Sequence, residues 1–155
     1  MSAKDRGPGV KVPPPLIYLS FMGLGYVVSM IVPLGFSLYG LNKVLAYSLF
    51  VVGGAIAAVA VFHFWRAKTH IEPWQPASYL ITSGIFSYSR NPIYVVFIIV
   101  TLGCGTLLGS LWVLFSVIPS TFCLYHWVIK KEERYLEQKF GERYLLYKNK
   151  VRCWL

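Results

Sequence analysis

Two short blocks of this chain carry most of its chemical potential. The first is Arg90-Asn91-Pro92-Ile93-Tyr94. Proline suits the first turn of a helix, where its missing N–H costs nothing, and Asn91 before it is a natural N-cap. An arginine, an amide and the positive end of a helix dipole then converge, which suits a carboxylate or phosphate. Tyr94 follows within a turn. An arginine in such a place also serves as a headgroup anchor. The second block is Val128-Ile-Lys-Lys-Glu-Glu-Arg-Tyr-Leu-Glu-Gln-Lys-Phe140. At about 100° per residue, Ile129, Leu136 and Phe140 form one stripe, with Glu133 about 40° from Ile129 and Glu132 about 60° away on the other flank. Carboxylates beside a buried stripe are costly unless paired. Their partners are Arg90, a nearby lysine or a cationic ligand; a solvated ladder of i,i+4 charge pairs is the alternative.

Between these blocks and the preceding apolar run lies the stretch 66–90, with His70 beside Glu72 and large apolar residues that include Trp74, Tyr79, Leu80, Ile81, Ile85, Phe86 and Tyr88. It is too polar to span a membrane and too aromatic for a solvated loop. It is either an interfacial anchor or the floor of a pocket. His63, His70 and the scattered Cys104, Cys123 and Cys153 lack metal-ligand spacing, so no metal site is expected. No phosphate-binding glycine loop and no nucleophile elbow is present.

The elements that must position these residues are legible in where charge is missing. Residues 12–42, 44–65 and 91–129 contain no Asp, Glu, Lys or Arg. A membrane-spanning helix needs about 20 apolar residues. The first two stretches predict spans at about 16–38 and 44–64. The third would reach about 58 Å as one helix and is expected to fold back at Gly103, Gly105, Gly109 and Ser110, giving spans at 92–108 and 110–129. Pro33 and Pro119 are expected to kink the first and fourth spans. A helix is expected over 130–148. Residues 1–15 read as a basic, mobile tail, and 16–155 as one domain. The first span lacks the short core and cleavage site of a signal peptide.

Composition agrees: 56% hydrophobic, 14% charged, mean hydropathy +0.56. The net charge of +9 raises nucleic acid as a partner. With four spans, however, 14 of the 15 basic residues fall on one side and only Lys43 opposite. The positive-inside rule makes that side, with both termini, cytoplasmic. The charge reads as topology and attraction to anionic lipid, with no nucleic-acid partner.

The block Gly84-Ile85-Phe86-Ser87-Tyr88-Ser89-Arg90-Asn91-Pro92-Ile93-Tyr94 resembles one found in the isoprenylcysteine carboxyl methyltransferase / phospholipid methyltransferase family of integral-membrane enzymes. So does Glu132-Glu133 with Phe140-Gly141, Tyr144, Tyr147 and Val151-Arg152, and so does Thr69-His70-Ile71-Glu72-Pro73. The likeness covers about residues 62–155. Asn91 stands where the block often has His, and Val96 where it often has Gly.

The resemblance implies an all-α membrane protein of about four transmembrane helices. Its cytoplasmic cofactor pocket would be formed by the 66–91 loop and the C-terminal amphipathic helix. It implies S-adenosylmethionine as methyl donor and S-adenosylhomocysteine as product. His70, Gly84, Tyr88, Arg90, Asn91, Pro92, Tyr94, Glu133 and Tyr144 would bind the cofactor, with Arg90, Glu132 and Glu133 catalytic. Glu133 would take the donor's ammonium. The acceptor would be a lipophilic molecule, an isoprenylcysteine carboxylate or a phospholipid amine, methylated by in-line displacement in a bacterial inner membrane or the endoplasmic reticulum. An NADPH-dependent membrane reductase related to sterol reductases, or a non-catalytic membrane protein, are the competing readings.

Overall fold

The computed structural model describes residues 7–155, so the beginning of the expected tail, with Lys4, Asp5 and Arg6, lies outside the described residues. The described chain is helical, with no strand and one isolated bridge, Gly35 to Ser110. The helices are α1 (Pro14–Ile31), α2 (Leu41–Ala67), α3 (Pro92–Leu108), α4 (Leu111–Phe115), α5 (Val117–Leu124), α6 (Lys130–Phe140) and α7 (Glu142–Lys150). A 3-10 turn at Gly84–Ser87 precedes α3, and a π-helical stretch, Tyr125–Ile129, joins α5 to α6. Three helical runs are long and apolar enough to cross a membrane: Pro14–Ile31, Leu41–Ala67 and the continuous Leu111–Phe140. α3 is apolar but has 17 residues, and it lies along α2.

Several expected boundaries move, each for a local reason. α1 stops at Ile31 rather than running to 38, because Pro33 cannot donate to the helix ladder and ends it instead of kinking it. The connection that follows is clipped to the α3–α4 turn: Phe36 N–H donates to Gly109 O at 2.9 Å, and Leu111 N–H to Leu34 O at 3.0 Å. That turn is Gly109-Ser110 alone. Gly109 holds φ +60, and Ser110 Oγ accepts from Val113 N–H at 3.4 Å. Gly103 and Gly105 are not part of it. They lie inside α3, where an added Cβ would come within 2.5 Å of the Phe50 ring and 2.7 Å of Leu114. They are close-approach positions.

Pro119 interrupts the regular ladder at Ser116, because it has no N–H to offer the carbonyl four residues back, but Ser116 stays in a helical conformation and the run Leu111–Phe140 continues. Two buried hydroxyls bond to carbonyls near this point: Ser116 Oγ donates to Val113 O at 2.6 Å and Ser120 Oγ to Ser116 O at 2.8 Å. The expected single helix over 130–148 is two helices, bent at Gly141 with φ 55 and ψ −130, a conformation natural only to glycine. The bend folds Tyr144, Tyr147 and Val151 back against Leu80, Leu136 and Phe140.

The tail also differs from its expected mobility as far as Pro15. α1 begins at Pro14, and Val10 is buried in one cluster with Ile17, Tyr18, Tyr94, Leu124, Val128 and Ile129. This cluster seals one end of the bundle, where α1, α3 and the π-helical stretch meet. At the opposite end, α1 crosses α4 so closely that a Cβ on Gly25 would lie 2.7 Å from the Trp112 carbonyl oxygen. Gly23, two residues earlier, faces open space. Gly25→Ala is therefore expected to destabilise the protein by about 1–3 kcal/mol through overpacking against rigid backbone, lowering the melting temperature in detergent. Gly23→Ala should leave it unchanged or slightly raised.

Candidate functional site

The site is assembled from four distant parts of the chain at the end of the bundle sealed by Val10 and Ile129. Arg90 sits in the turn before α3. Its backbone N–H donates to Arg152 O at 3.0 Å, so the C-terminal segment holds the turn in place. Asn91 is the N-cap of α3, as expected, but it caps through its backbone: its carbonyl takes the N–H of Tyr94 and Val95, while its Nδ2 donates to Cys153 O at 3.0 Å and to Cys153 Sγ at 3.4 Å. Pro92 occupies the first helical turn, as read from the sequence.

The guanidinium meets the acidic helix. Arg90 Nη2 lies 2.8 Å from Glu133 Oε1, with the two side chains only 10% and 13% exposed. Lys148 of α7 reaches Glu133 Oε2 at 3.1 Å and Glu137 Oε1 at 2.6 Å. These carboxylates hold the Lys148 ammonium above its ordinary pKa, the hydrogen bond to Glu137 first among the causes. The Arg90–Glu133 approach is close but poorly angled. Arg90 Nε and Nη1 and Glu133 Oε1 are buried without a hydrogen-bond partner.

Glu132 is placed differently. Tyr94 Oη donates to its Oε2 at 2.8 Å, and among the described residues no cation stands within ion-pair distance of it. Both acids reach the interior because the π-helical stretch ends just before them. One extra residue in a turn swings every later side chain by about 100°.

The loop 66–91 forms the facing wall. Ser78 N–H donates to Thr69 Oγ1 at 2.9 Å and Ala77 N–H to Tyr135 Oη at 3.1 Å, tying the loop to itself and to α6. Tyr147 Oη donates to Phe86 O at 2.7 Å. A cavity with about 930 Å³ of free space, its open mouth included, lies between loop, α3, α6 and α7. The loop therefore lines a pocket, with Trp74 and Tyr79 still partly exposed as an anchor would be.

Of the residues singled out from the sequence, His70, Arg90, Asn91, Pro92, Tyr94, Glu132, Glu133 and Tyr144 line this cavity. His70 stands at its rim, 54% exposed and 4.0 Å from Glu72. Gly84 and Tyr88 do not line it. Gly84, at φ +63, backs onto His63, whose Nε2 would be 2.0 Å from an added Cβ. The 3-10 turn throws Tyr88 outward, 76% exposed. The sequence reading missed Lys148, Tyr135 and Pro8, and it named Tyr147 in the C-terminal block without placing it in the site. Lys148 was findable, four residues after Tyr144 on the same face of a helix. Tyr135 and Pro8 carry no such signal. Among the described residues no group of three or more His, Cys, Asp or Glu could hold a metal ion.

The described residues are all helical, with three apolar helices of membrane length, and a cavity of mixed charge lies where the loop and the C-terminal helices gather, which is the build of a membrane protein. A family model described as phospholipid methyltransferase matches residues 34–143, more than two thirds of the chain. The chain belongs to the phospholipid methyltransferase family. It is 42% identical over 74 residues to a protein-S-isoprenylcysteine O-methyltransferase of Schizosaccharomyces pombe, a match covering 46% of this chain and 30% of that protein. It is 37% identical over 62 residues to an uncharacterised protein of Haemophilus influenzae, covering 40% of this chain and 98% of that one. No solved structure matches significantly. The family drawn from the Arg90 and Glu132-Glu133 blocks is borne out.

Tyr147 offers a check on the wall itself. Burial raises its phenol above the ordinary value of 10.0, and that of Tyr144 likewise. A folded-state pKa raised above the unfolded one contributes stability that is present below about pH 10 and lost as pH rises further. Melting temperature in detergent should thus fall between about pH 10 and 11. Tyr147→Phe should cost about 1 kcal/mol near neutrality through the lost bond to Phe86, and show a shallower alkaline decline.

Proposed function

We propose that the chain is a membrane methyltransferase whose cavity holds S-adenosylmethionine and whose acceptor is a lipophilic molecule entering from the bilayer. The observation that carries this reading is the pair of orphaned donors on Arg90. Buried, unpaired Nε and Nη1 groups are expensive, and a carboxylate lying in the same cavity satisfies them. The donor's amino-acid end has that group. When bound, the donor supplies a methyl group on a positively charged sulfur, ready for displacement.

The residues then divide the work. Arg90 holds the carboxylate. Glu133, expected from the sequence to take the ammonium, already faces two cations, Arg90 and Lys148. A further cation beside it would meet net repulsion. Glu133 is therefore the positioning group for Arg90, and Glu132 faces the donor's cationic half. Among the described residues the carboxyl of Glu132 has the neutral Tyr94 hydroxyl as its hydrogen-bond partner and no cation at ion-pair distance, and a cation beside it offsets its desolvation. His70, Asn91, Pro92, Tyr94 and Tyr144 complete the donor's surroundings. Aromatic rings among them suit a sulfonium or an adenine. Gly84 shapes the loop against His63, and Tyr88 lies outside.

The acceptor is of the isoprenylcysteine or phospholipid type, the words that the names of the matched relative and the matched family carry, with a carboxylate or an amine as the group methylated. Alignment and exclusion of water dominate the transfer. A carboxylate acceptor needs no base, whereas an amine must lose a proton, for which Glu132 and His70 are at hand. In this reading α3 is a fourth span, both termini and the cavity are cytoplasmic, and the expected domain 16–155 extends back to take in the segment from Gly7, since Val10 lies in its core. The charge bias of the chain supports that orientation.

The test is calorimetry of the detergent-purified protein with S-adenosylmethionine, S-adenosylhomocysteine and, as control, NADPH. Micromolar binding of the two sulfur compounds and none of NADPH is expected. Arg90→Lys and Glu132→Gln should each weaken binding by about 10–100-fold without changing the melting temperature of the ligand-free protein by more than a few degrees. Unchanged affinity in both variants would overturn the site.

A further inference from the structure

The N-terminal segment ahead of the first helix is part of the cavity. Pro8 lines it together with Arg90, Tyr94 and Glu132. The segment is pinned on both sides of Pro8. Gly7 lies against the 66–91 loop so tightly that an added Cβ would stand 2.6 Å from Trp74 O and 3.0 Å from the Gln75 carbonyl carbon, and its φ of +68 is one that side chains resist. Val10 is 6% exposed and sits among Tyr94, Val128 and Ile129. Tyr94 is the partner of Glu132, and Ile129 stands three residues before it. Lys11 and Val12 then emerge exposed before α1 begins. None of this segment falls within residues 34–143, where the family match lies.

We propose that residues 7–12 form a wall of the donor cavity, with Pro8 touching the bound molecule and Gly7 and Val10 anchoring the wall to the loop and to the Tyr94–Glu132 pair. This rests on the reading of the cavity as a methyl-donor site. A wall in this position keeps water from the Glu132 carboxyl, where exclusion of water strengthens its attraction for a cation. Binding and wall closure are then reciprocal: whatever contacts Pro8 holds the segment down, and whatever frees the segment weakens binding by the same factor.

The reciprocity can be read without activity. Cleavage by trypsin after the exposed Lys11 reports how often the segment leaves its seat. In the full-length protein in detergent, saturating S-adenosylhomocysteine should slow this cleavage at least fivefold. Gly7→Leu should speed cleavage of the ligand-free protein and weaken calorimetric binding by about tenfold, with little change in melting temperature. Pro8→Gly, which removes the ring and leaves both anchors, should weaken binding while cleavage of the ligand-free protein changes less; it also serves if Gly7→Leu does not fold. If the wild type binds S-adenosylhomocysteine but its cleavage is unaffected and the variants bind as tightly, the wall is wrong and the donor site stands. If the wild type binds neither sulfur compound, the donor site is wrong and the wall falls with it.

Discussion

The site depends on one constraint: a guanidinium taken out of water must be paired. Arg90 is almost wholly covered by the loop, α6 and the C-terminal segment, and Glu133 is the group that answers it. The answer is incomplete, since two nitrogens of Arg90 remain without acceptors. Lys148 extends the pairing outward to Glu137, closer to solvent, where the ammonium and that carboxylate are each one third exposed. Two cations and two carboxylates balance. Glu132 stands outside this balance, on the other flank of the helix, with a phenol for company. Those four groups are thus neutral together, while the cavity also holds unsatisfied donors on Arg90 and, on Glu132, an acid with no cation at ion-pair distance among the described residues. In the proposed reading that polarity complements the two ends of a zwitterion.

Holding the polarity in place falls to elements that carry no charge at the site. The C-terminal residues Arg152 and Cys153 grip the Arg90-Asn91 turn through their carbonyls. Tyr147 ties α7 to the loop at Phe86, and Tyr135 ties α6 to it at Ala77. Each bond joins segments more than fifty residues apart. The site is therefore a property of the closed bundle, and no single helix holds it. The bend at Gly141 makes the arrangement possible, because a straight helix over 130–148 would carry Tyr144, Tyr147 and Lys148 away from the loop.

Much of this was legible in the sequence because charge is so costly in lipid. The three charge-free runs located the long helices, and the acids flanking Ile129 announced a buried partner. The Arg90-Asn91-Pro92 block announced a helix start. What stayed hidden depended on where two segments touch. Asn91 has the chemistry of a cap, yet its amide finds a better partner in a carbonyl sixty-two residues away. Gly103 and Gly105 look like a turn until Phe50 and Leu114 are seen against them. Pro33 was read as a kink, but with no neighbouring helix to support a bent continuation, the chain ends α1 and clips onto Gly109. The π-helical stretch has no sequence signal at all, although it sets the phase of both glutamates. Nor does the basic composition of the tail reveal that Val10 is buried.

The position of the acids along their helix explains why the cavity lies where it does. The continuous run Leu111–Phe140 is about 45 Å long at ~1.5 Å per residue, half as long again as the ~30 Å hydrocarbon layer. Its residues 111–129 are free of charge, and Lys130 begins the polar end. Glu132 and Glu133 therefore sit within one turn of the last apolar residue. Deeper in the bilayer, two carboxylates and a guanidinium would be too costly to bury. Farther out, the cavity would lose contact with lipid, and a lipophilic acceptor would have to leave the bilayer to reach it. One turn past the boundary, the proposed reading lets a charged donor from water and an apolar acceptor from the membrane meet in a single cavity. The apolar side of that cavity, Phe64, Ile81, Phe86 and Ile93, belongs to the same helix ends and loop that border the membrane-length helices.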